Sequence, residues 1–403
     1  MKTIRSCDIL VPNNCDHNKW SVVACDQFTS ERGYWKKLEE YVGDEKSTLK
    51  LIFPEAYLED EDKDERIENI NRTMKQYLDG GVFKTLKDSF IVCKRTTASG
   101  ISRLGIVLAV DLEDYCFTHP SDAYIRSTEG VVLDRIPPRL KIRQDALVEL
   151  PHIMLLIDDR KHSVIEPIWS ERASLEKVYD FDLNMGGGHL EGYRIDAQKV
   201  IDVFENYVGS VQNLYGGDKN DFIFAVGDGN HSLAAAKAHW ENVRASGCTA
   251  ARYALCEIVD ISEPSIEFEP IYRIVKNCNV PDFLSALETI SGDGEQKVTA
   301  LYGGCEKEFS FASPTHALTV GTLQNFIDSY IEAHPGAECD YIHGTDSLRV
   351  LSAEKDCVGF IFDGMSKDEL FPYVTEHGVL PRKTFSMGDA HSKRYYTEVR
   401  GIV

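Results

Sequence analysis

The sequence predicts a mixed α/β fold, with a larger α/β core and a smaller C-terminal α+β part. Three observations carry that expectation. Short apolar runs of strand length alternate with segments of helical period. One of those runs stops at glycines and passes straight into an alanine-rich helix. The chain is also long enough, at 403 residues with 43% hydrophobic and 27% charged residues, for two or three domains with a real core.

In chain order, residues 21–25 (Ser-Val-Val-Ala-Cys) form a short apolar run with Asp26 behind it. Thr29, Ser30 and Glu31 then open a helix on which Tyr34, Leu38 and Tyr41 recur at helical spacing. Residues 48–53 read as a strand stopped by Pro54, and 62–78 as a charged helix ended by Gly80 and Gly81. Residues 89–96 and 102–110 read as two strands of a hairpin turning through Ala98, Ser99 and Gly100. The stretch 111–139 is rich in charge and proline and longer than a simple connection, a property of functional loops. Helix 142–150, strand 153–157, a glycine cluster at 186–188 running into a strand, helix 197–214 and the buried strand 221–226 follow. After Arg273 the pattern loosens into helices 281–290 and 322–333, strand 358–362 and a basic tail, which places a domain boundary between 1–275 and 276–403.

The 44 Lys and Arg against 65 Asp and Glu give a formal net charge of −21. Such a chain is repelled by nucleic acid and by anionic membrane surfaces, so neither is an expected partner. The 11 cysteines are scattered, with no Cys-x-x-Cys pair and no zinc-like spacing, as in a protein of the reducing cytoplasm. The first residues carry charge where a signal peptide needs an apolar run, and the apolar runs are far too short to span a bilayer. A cytoplasmic location is the expectation.

The chemistry-bearing segment is Phe222-Ile-Phe-Ala-Val-Gly227-Asp228-Gly229-Asn230-His231-Ser232, followed by a helix whose first turns are alanine. Gly227 and Gly229 permit positive φ and let a ligand approach bare backbone. Asp228 or Asn230 is placed to cap the helix. The helix N-terminus aims N–H groups and a partial positive charge at an anion such as phosphate. A plainer reading of the same residues is a tight strand-to-helix turn with a capping Asp and a packed His. No Gly-Lys-Ser/Thr follows, and the glycine spacing is not that of a dinucleotide fingerprint.

The run from Gly227 to Ala236 resembles the Asp-Gly-His-His-Arg-x-x-x-Ala signature of domain-of-unknown-function family 1015. Val23-Ala-Cys-Asp26-Gln, Leu51-Ile-Phe-Pro-Glu55, Glu269-Pro-Ile-Tyr-Arg273 and Leu380-Pro-Arg-Lys-Thr-Phe385 resemble further segments of that family, in order. The signature is also similar to the phosphate-binding turn of the ParB/sulfiredoxin-like superfamily, which includes an archaeal free-serine kinase that uses ADP. The resemblance implies a ParB/sulfiredoxin-like nucleotide-binding core, ATP or ADP with Mg²⁺ as cofactor, and a small hydroxyl-bearing metabolite as acceptor. It implies that Gly227, Gly229, Asn230 and Ser232 hold phosphate, and that Asp228 and His231 act in catalysis, with Asp228 on the metal. A non-catalytic nucleotide-binding or sensory module is the alternative, and a ParB-like DNA-binding protein the third reading.

Two positions depart from the signature: Asn230 replaces its first His, and Ser232 replaces the Arg that clamps phosphate. The basic tail offers a substitute, with Arg382 and Lys383 the expected cations at the turn. Secondary candidates are Asp26 as a second carboxylate, His189 behind its glycines, the polar loop from Arg126 to Gly130 with Arg135 and Arg139, and His343.

Overall fold

The computed structural model describes residues 2–403 apart from 119–120, 212–214, 216–221, 389 and 391. The chain divides into two compact units. The first comprises 1–266, 375–378 and 389–403, and the second 267–374 and 379–388. The chain thus crosses between units ahead of the strand Phe268–Lys276, which belongs wholly to the second sheet.

The first unit is built on an eleven-stranded mixed sheet. Its path runs Glu176–Leu183, Gly188–Ile195, Phe83–Thr96, Ser102–Asp111, Tyr253–Asp260, Met154–Ile157, Phe224–Asp228, Ile125–Ser127 and Tyr115–Cys116. Central strands are buried on both faces, which is why they read as continuous apolar runs. Phe90, Val92, Ile106 and Leu108 point into one core, while Ile91, Cys93 and Val107 point into the other. Helix Ala197–Val211 and helix Asn230–Val243 cover the first face through Val200, Phe204, Leu233 and Ala236. Helices Arg32–Val42 and Lys63–Asp79 cover the second through Trp35, Leu38, Ile70 and Met74.

Strand direction positions the site. Phe224–Asp228 runs antiparallel to Met154–Ile157, with Asp228 opposite Met154. The glycine turn therefore emerges beside the segment that leads into that neighbour, Pro151-His152-Ile153. Tyr253–Asp260 runs parallel to Met154–Ile157, so Asp260 and Ile157 end together at the other end of these strands.

The second unit is an α+β layer whose sheet runs Cys305–Ser310, Lys297–Tyr302, Val358–Ile361, Phe268–Lys276, Glu338–His343, with Phe385–Met387 also on Phe268–Lys276. Helices Val280–Thr289 and Thr319–Ala333 bury Phe283, Leu287, Leu323 and Ile327 against it.

Two sequence expectations change. Residues 48–53 form no strand: the hydroxyl of Ser47 accepts the Leu49 N–H and Thr48 Oγ1 donates to the Trp20 carbonyl, which holds Thr48–Leu51 as a short 3-10 turn. The helix expected at 142–150 lies earlier, at Ile136–Gln144, because Pro137 and Pro138 occupy its first turn, where their missing N–H groups cost nothing. The expected helix end at 212–214 and Asp221 of the expected strand lie outside the described residues. All 11 cysteines are free thiols. Among the described residues no helix is long and apolar enough to cross a membrane.

Candidate functional site

Strand Phe224–Asp228 is buried through Val226 and becomes half-buried at Gly227 and Asp228. Gly229 then takes φ +80, and a Cβ there would lie 3.1 Å from the Ile153 Cα, so both the backbone conformation and the space require glycine. Helix Asn230–Val243 starts at once, with Leu233 N–H bonded to the Gly229 carbonyl at 2.9 Å. Among the described residues no side chain caps this helix, and its first turn holds no acidic residue. A helix end without a cap presents its first N–H groups and its positive dipole end to a ligand.

Asp228 is not the cap that the sequence suggested. Its Oδ1 accepts the Gly229 N–H at 3.0 Å, and its Oδ2 faces Lys393 Nζ at 3.1 Å. Asn230 is not the cap either, since its Oδ1 accepts the hydroxyl of Ser127. Thr128 Oγ1 donates to the Val226 carbonyl at 2.7 Å, and the Val132 N–H donates to His231 Nε2 at 3.2 Å. The loop from Ser127 to Val132 therefore braces the turn from one side, and one ring nitrogen of His231 serves that brace.

On the other side stands His152. Its Nε2 lies 3.0 Å from Ser232 Oγ and 3.6 Å from Asp26 Oδ2, and its Nδ1 is 2.7 Å from the Tyr396 hydroxyl. Tyr396 in turn donates to Cys25 Sγ at 3.1 Å and accepts the Cys25 N–H at 3.2 Å. Burial pushes the Asp26 carboxyl up, but His152, the Gln27 amide and the Lys393 ammonium together hold it below the usual carboxylate range. Burial drives the Cys25 thiol and the Tyr396 hydroxyl well up, so both keep their protons.

A cavity of about 140 Å³ opens at this polar end. Apolar Leu51, Phe53, Met74, Ile142 and Val148 line it together with Cys25, Glu55, Arg139, His152, Ser232 and Tyr396. Arg139 and Glu55 form an ion pair there, and burial nonetheless raises the Glu55 carboxyl. An apolar chamber with a few convergent polar groups is the usual form of a small-molecule site.

The family model described as "Protein of unknown function (DUF1015)" matches residues 10–337. The chain belongs to that family. The matched span holds Asp26, His152 and the glycine turn of this DUF1015 protein, while Lys393 and Tyr396 lie beyond it. No curated protein matches the sequence. Among solved structures, a free serine kinase in complex with AMP is 12% identical, covering 72% of this chain and 90% of its own, with a TM-score of 0.41. A mutant free serine kinase in complex with ADP is 10% identical, covering 72% and 91%, also at 0.41. SbnI with a C-terminal truncation, from Staphylococcus aureus, is 9% identical, covering 72% and 85%, at 0.37.

Within the DUF1015 chain, Gly227 to Ser232 stand together at the turn, with Asp26 beside them. Arg382 and Lys383 stand in the second unit. There Arg382 Nη2 pairs with Asp328 Oδ1 at 2.6 Å, and the carbonyls of Arg382 and Lys383 accept from buried Arg273 at 2.7 and 2.8 Å. At the turn, Asp228 pairs with Lys393, carried by the segment that returns to the first unit. His189 is held between Asp180 and Asp182 on an edge hairpin at 2.9 and 2.8 Å, and His343 ends a strand of the second sheet. Arg126 is buried, with its Nε on the Ala123 carbonyl at 3.0 Å, and Arg139 lines the cavity. Sequence reasoning missed His152 and Tyr396. The one local signal for His152 is its place, with Pro151, directly ahead of an apolar strand.

Proposed function

We propose that the first unit binds a nucleotide, ATP or ADP, by its phosphates at the start of helix Asn230–Val243 and transfers a phosphoryl group to a small hydroxyl-bearing metabolite. One observation carries this reading: an uncapped helix N-terminus opens beside two carboxylates, Asp26 and Asp228, with Lys393 acting on both. Phosphoryl transfer asks mainly for positioning and charge stabilisation. In this reading the N–H groups of Asn230 to Ser232 and the Lys393 ammonium hold the phosphates. Asp26, kept ionised by His152 and Lys393, takes the acceptor's proton as its oxygen bonds to phosphorus and the bond to the leaving phosphate oxygen breaks. Asp228 fixes Lys393, and the cavity of about 140 Å³ takes an acceptor of a few heavy atoms.

Mg²⁺ takes oxygen ligands and is usually held by one or two carboxylates together with substrate phosphates. Asp228 is a donor of that kind and would hold it, and the ion would supply neutralisation of phosphate charge.

The Lys393–Asp228 pair also favours a second reading, a non-catalytic module that senses a nucleotide or small acid, because an ion pair at the turn supplies binding charge without itself taking a proton. Thermal shift with ATP, ADP, AMP and inorganic phosphate, with and without Mg²⁺, followed by phosphorus NMR with a pool of hydroxyl metabolites, separates the two. Stabilisation with transfer supports the kinase, and stabilisation without transfer supports the module. The absence of any shift overturns both.

A further inference from the structure

A second cluster lies at the opposite ends of the central strands from the glycine turn, where Met154–Ile157 and Tyr253–Asp260 end side by side. Asp260 closes its strand. The loop after Ile157 carries His162, and the short helix that follows carries Glu166. His162 Nδ1 lies 2.8 Å from Glu166 Oε1 and 3.4 Å from Asp260 Oδ2, and one ligand atom from each residue lies within 4.8 Å of the others.

We propose that His162, Glu166 and Asp260 form a binding site for one divalent transition-metal ion, Zn²⁺ in the first instance. The observation beyond the clustering is the state of Asp260. This side chain is 1% exposed, and while its Oδ1 accepts the Ser262 N–H at 3.0 Å, its Oδ2 is buried without a hydrogen-bond donor and directed at His162 and Glu166. Glu166 Oε2 is likewise buried without a donor. A buried carboxylate oxygen lacking a donor is costly, and a coordinated cation meets that need.

The donor chemistry selects the ion. One imidazole nitrogen with two carboxylates is a set that Zn²⁺ accepts, whereas Mg²⁺ and Ca²⁺ prefer oxygen alone. Three protein ligands leave a coordination position open, and His162, at 54% side-chain exposure, puts that position within reach of solvent. The competing arrangement is a simple His–carboxylate ion pair with no metal affinity.

The test is metal binding by the full chain, stripped with EDTA and dialysed, followed by titration with Zn²⁺ and, for its spectrum, Co²⁺. The expected result is one ion per chain, a raised melting temperature, and a Co²⁺ spectrum of nitrogen and oxygen ligation without thiolate charge-transfer bands. His162→Ala, at an exposed position that leaves the fold intact, and the near-isosteric Asp260→Asn are each expected to weaken binding by about 10²-fold or more, above the loss seen for outer-shell changes. Equal affinity of the parent and His162→Ala, thiolate bands with Co²⁺, or no binding below millimolar Zn²⁺ would each overturn the proposal.

Discussion

Lys393 Nζ stands 3.1 Å from Asp228 Oδ2, with both side chains largely withdrawn from solvent, so a residue late in the chain completes the glycine turn. Removing either partner leaves a half-buried charge unpaired. A double-mutant cycle of Lys393→Met and Asp228→Asn should give a coupling of about 1–2 kcal/mol by urea unfolding. Asp228→Asn keeps the acceptor for the Gly229 N–H but leaves the Lys393 ammonium unpaired, so its melting temperature should fall by a few degrees while the fold is kept. If Asp228 works in phosphoryl transfer as proposed, the same variant should lose about 10²-fold in turnover. Full activity in that variant would leave Asp228 a structural residue.

Asp26 sets a pH dependence whose sign follows from its surroundings. Its carboxyl is held below the ordinary 3.8, so the folded state binds this proton less tightly than the unfolded chain does. The stability it contributes is fully present above about pH 4 and is lost as pH falls through the lower folded value. Urea unfolding at pH 5, 4 and 3 should show the parent chain losing more stability than Asp26→Asn. In the proposed reaction Asp26 stays ionised at pH 5, so any acid limb of turnover above that pH must belong to another group.

Gly229→Ala tests the turn itself. The new methyl would have to adopt φ +80 and would meet Ile153 at 3.1 Å. A left-handed backbone alone costs about 1–2 kcal/mol for a residue with a Cβ. The expected outcome is a loss of about 2 kcal/mol or more in urea unfolding, together with loss of any phosphate-dependent thermal shift.

Arg394, next to Lys393, is fully committed inside the first unit. It pairs with Glu257, donates to Glu398 at 2.7 Å and to the Pro151 carbonyl at 3.0 Å, all buried. Arg394→Met leaves two buried carboxylates short of a partner and should cost about 3–5 kcal/mol. The Pro151 contact adjoins His152, so nucleotide binding should weaken as well, which a thermal-shift titration would read.

The strand, turn and helix around Gly229 were legible because every signal for them is local: an apolar run, two glycines and alanines at helical spacing. Asp26 was legible for the same reason, as an acid directly behind an apolar run. His152 and Tyr396 were not, because what makes them site residues is strand pairing between distant segments: Tyr396 opposite Val22, and Asp228 opposite Met154. The tail shows the same limit. Arg382, Lys383 and Lys393 look alike as a run of charge, and nothing in composition marks which cation returns to the first unit. Thr48–Leu51 was misread because a hydroxyl competing for backbone N–H groups leaves no trace in an apolar pattern.

The return of residues 389–403 also orders events in time. Strand Tyr395–Tyr396 pairs with Val22–Val23, Trp20 Nε1 donates to the Thr397 carbonyl at 3.0 Å, and Val399 bridges to Leu10. On the ribosome, Asp26 and Asp228 emerge early, but Lys393 and Tyr396 follow only after the whole of the second unit has been made. At about 5–20 residues per second, the nascent first unit waits several seconds or more with Trp20 and Val22–Val23 lacking their partners from the tail. A premature stop just after the second unit would therefore release a chain with its large sheet complete but with no Lys393 at the glycine turn and with Val22–Val23 left without its partner strand.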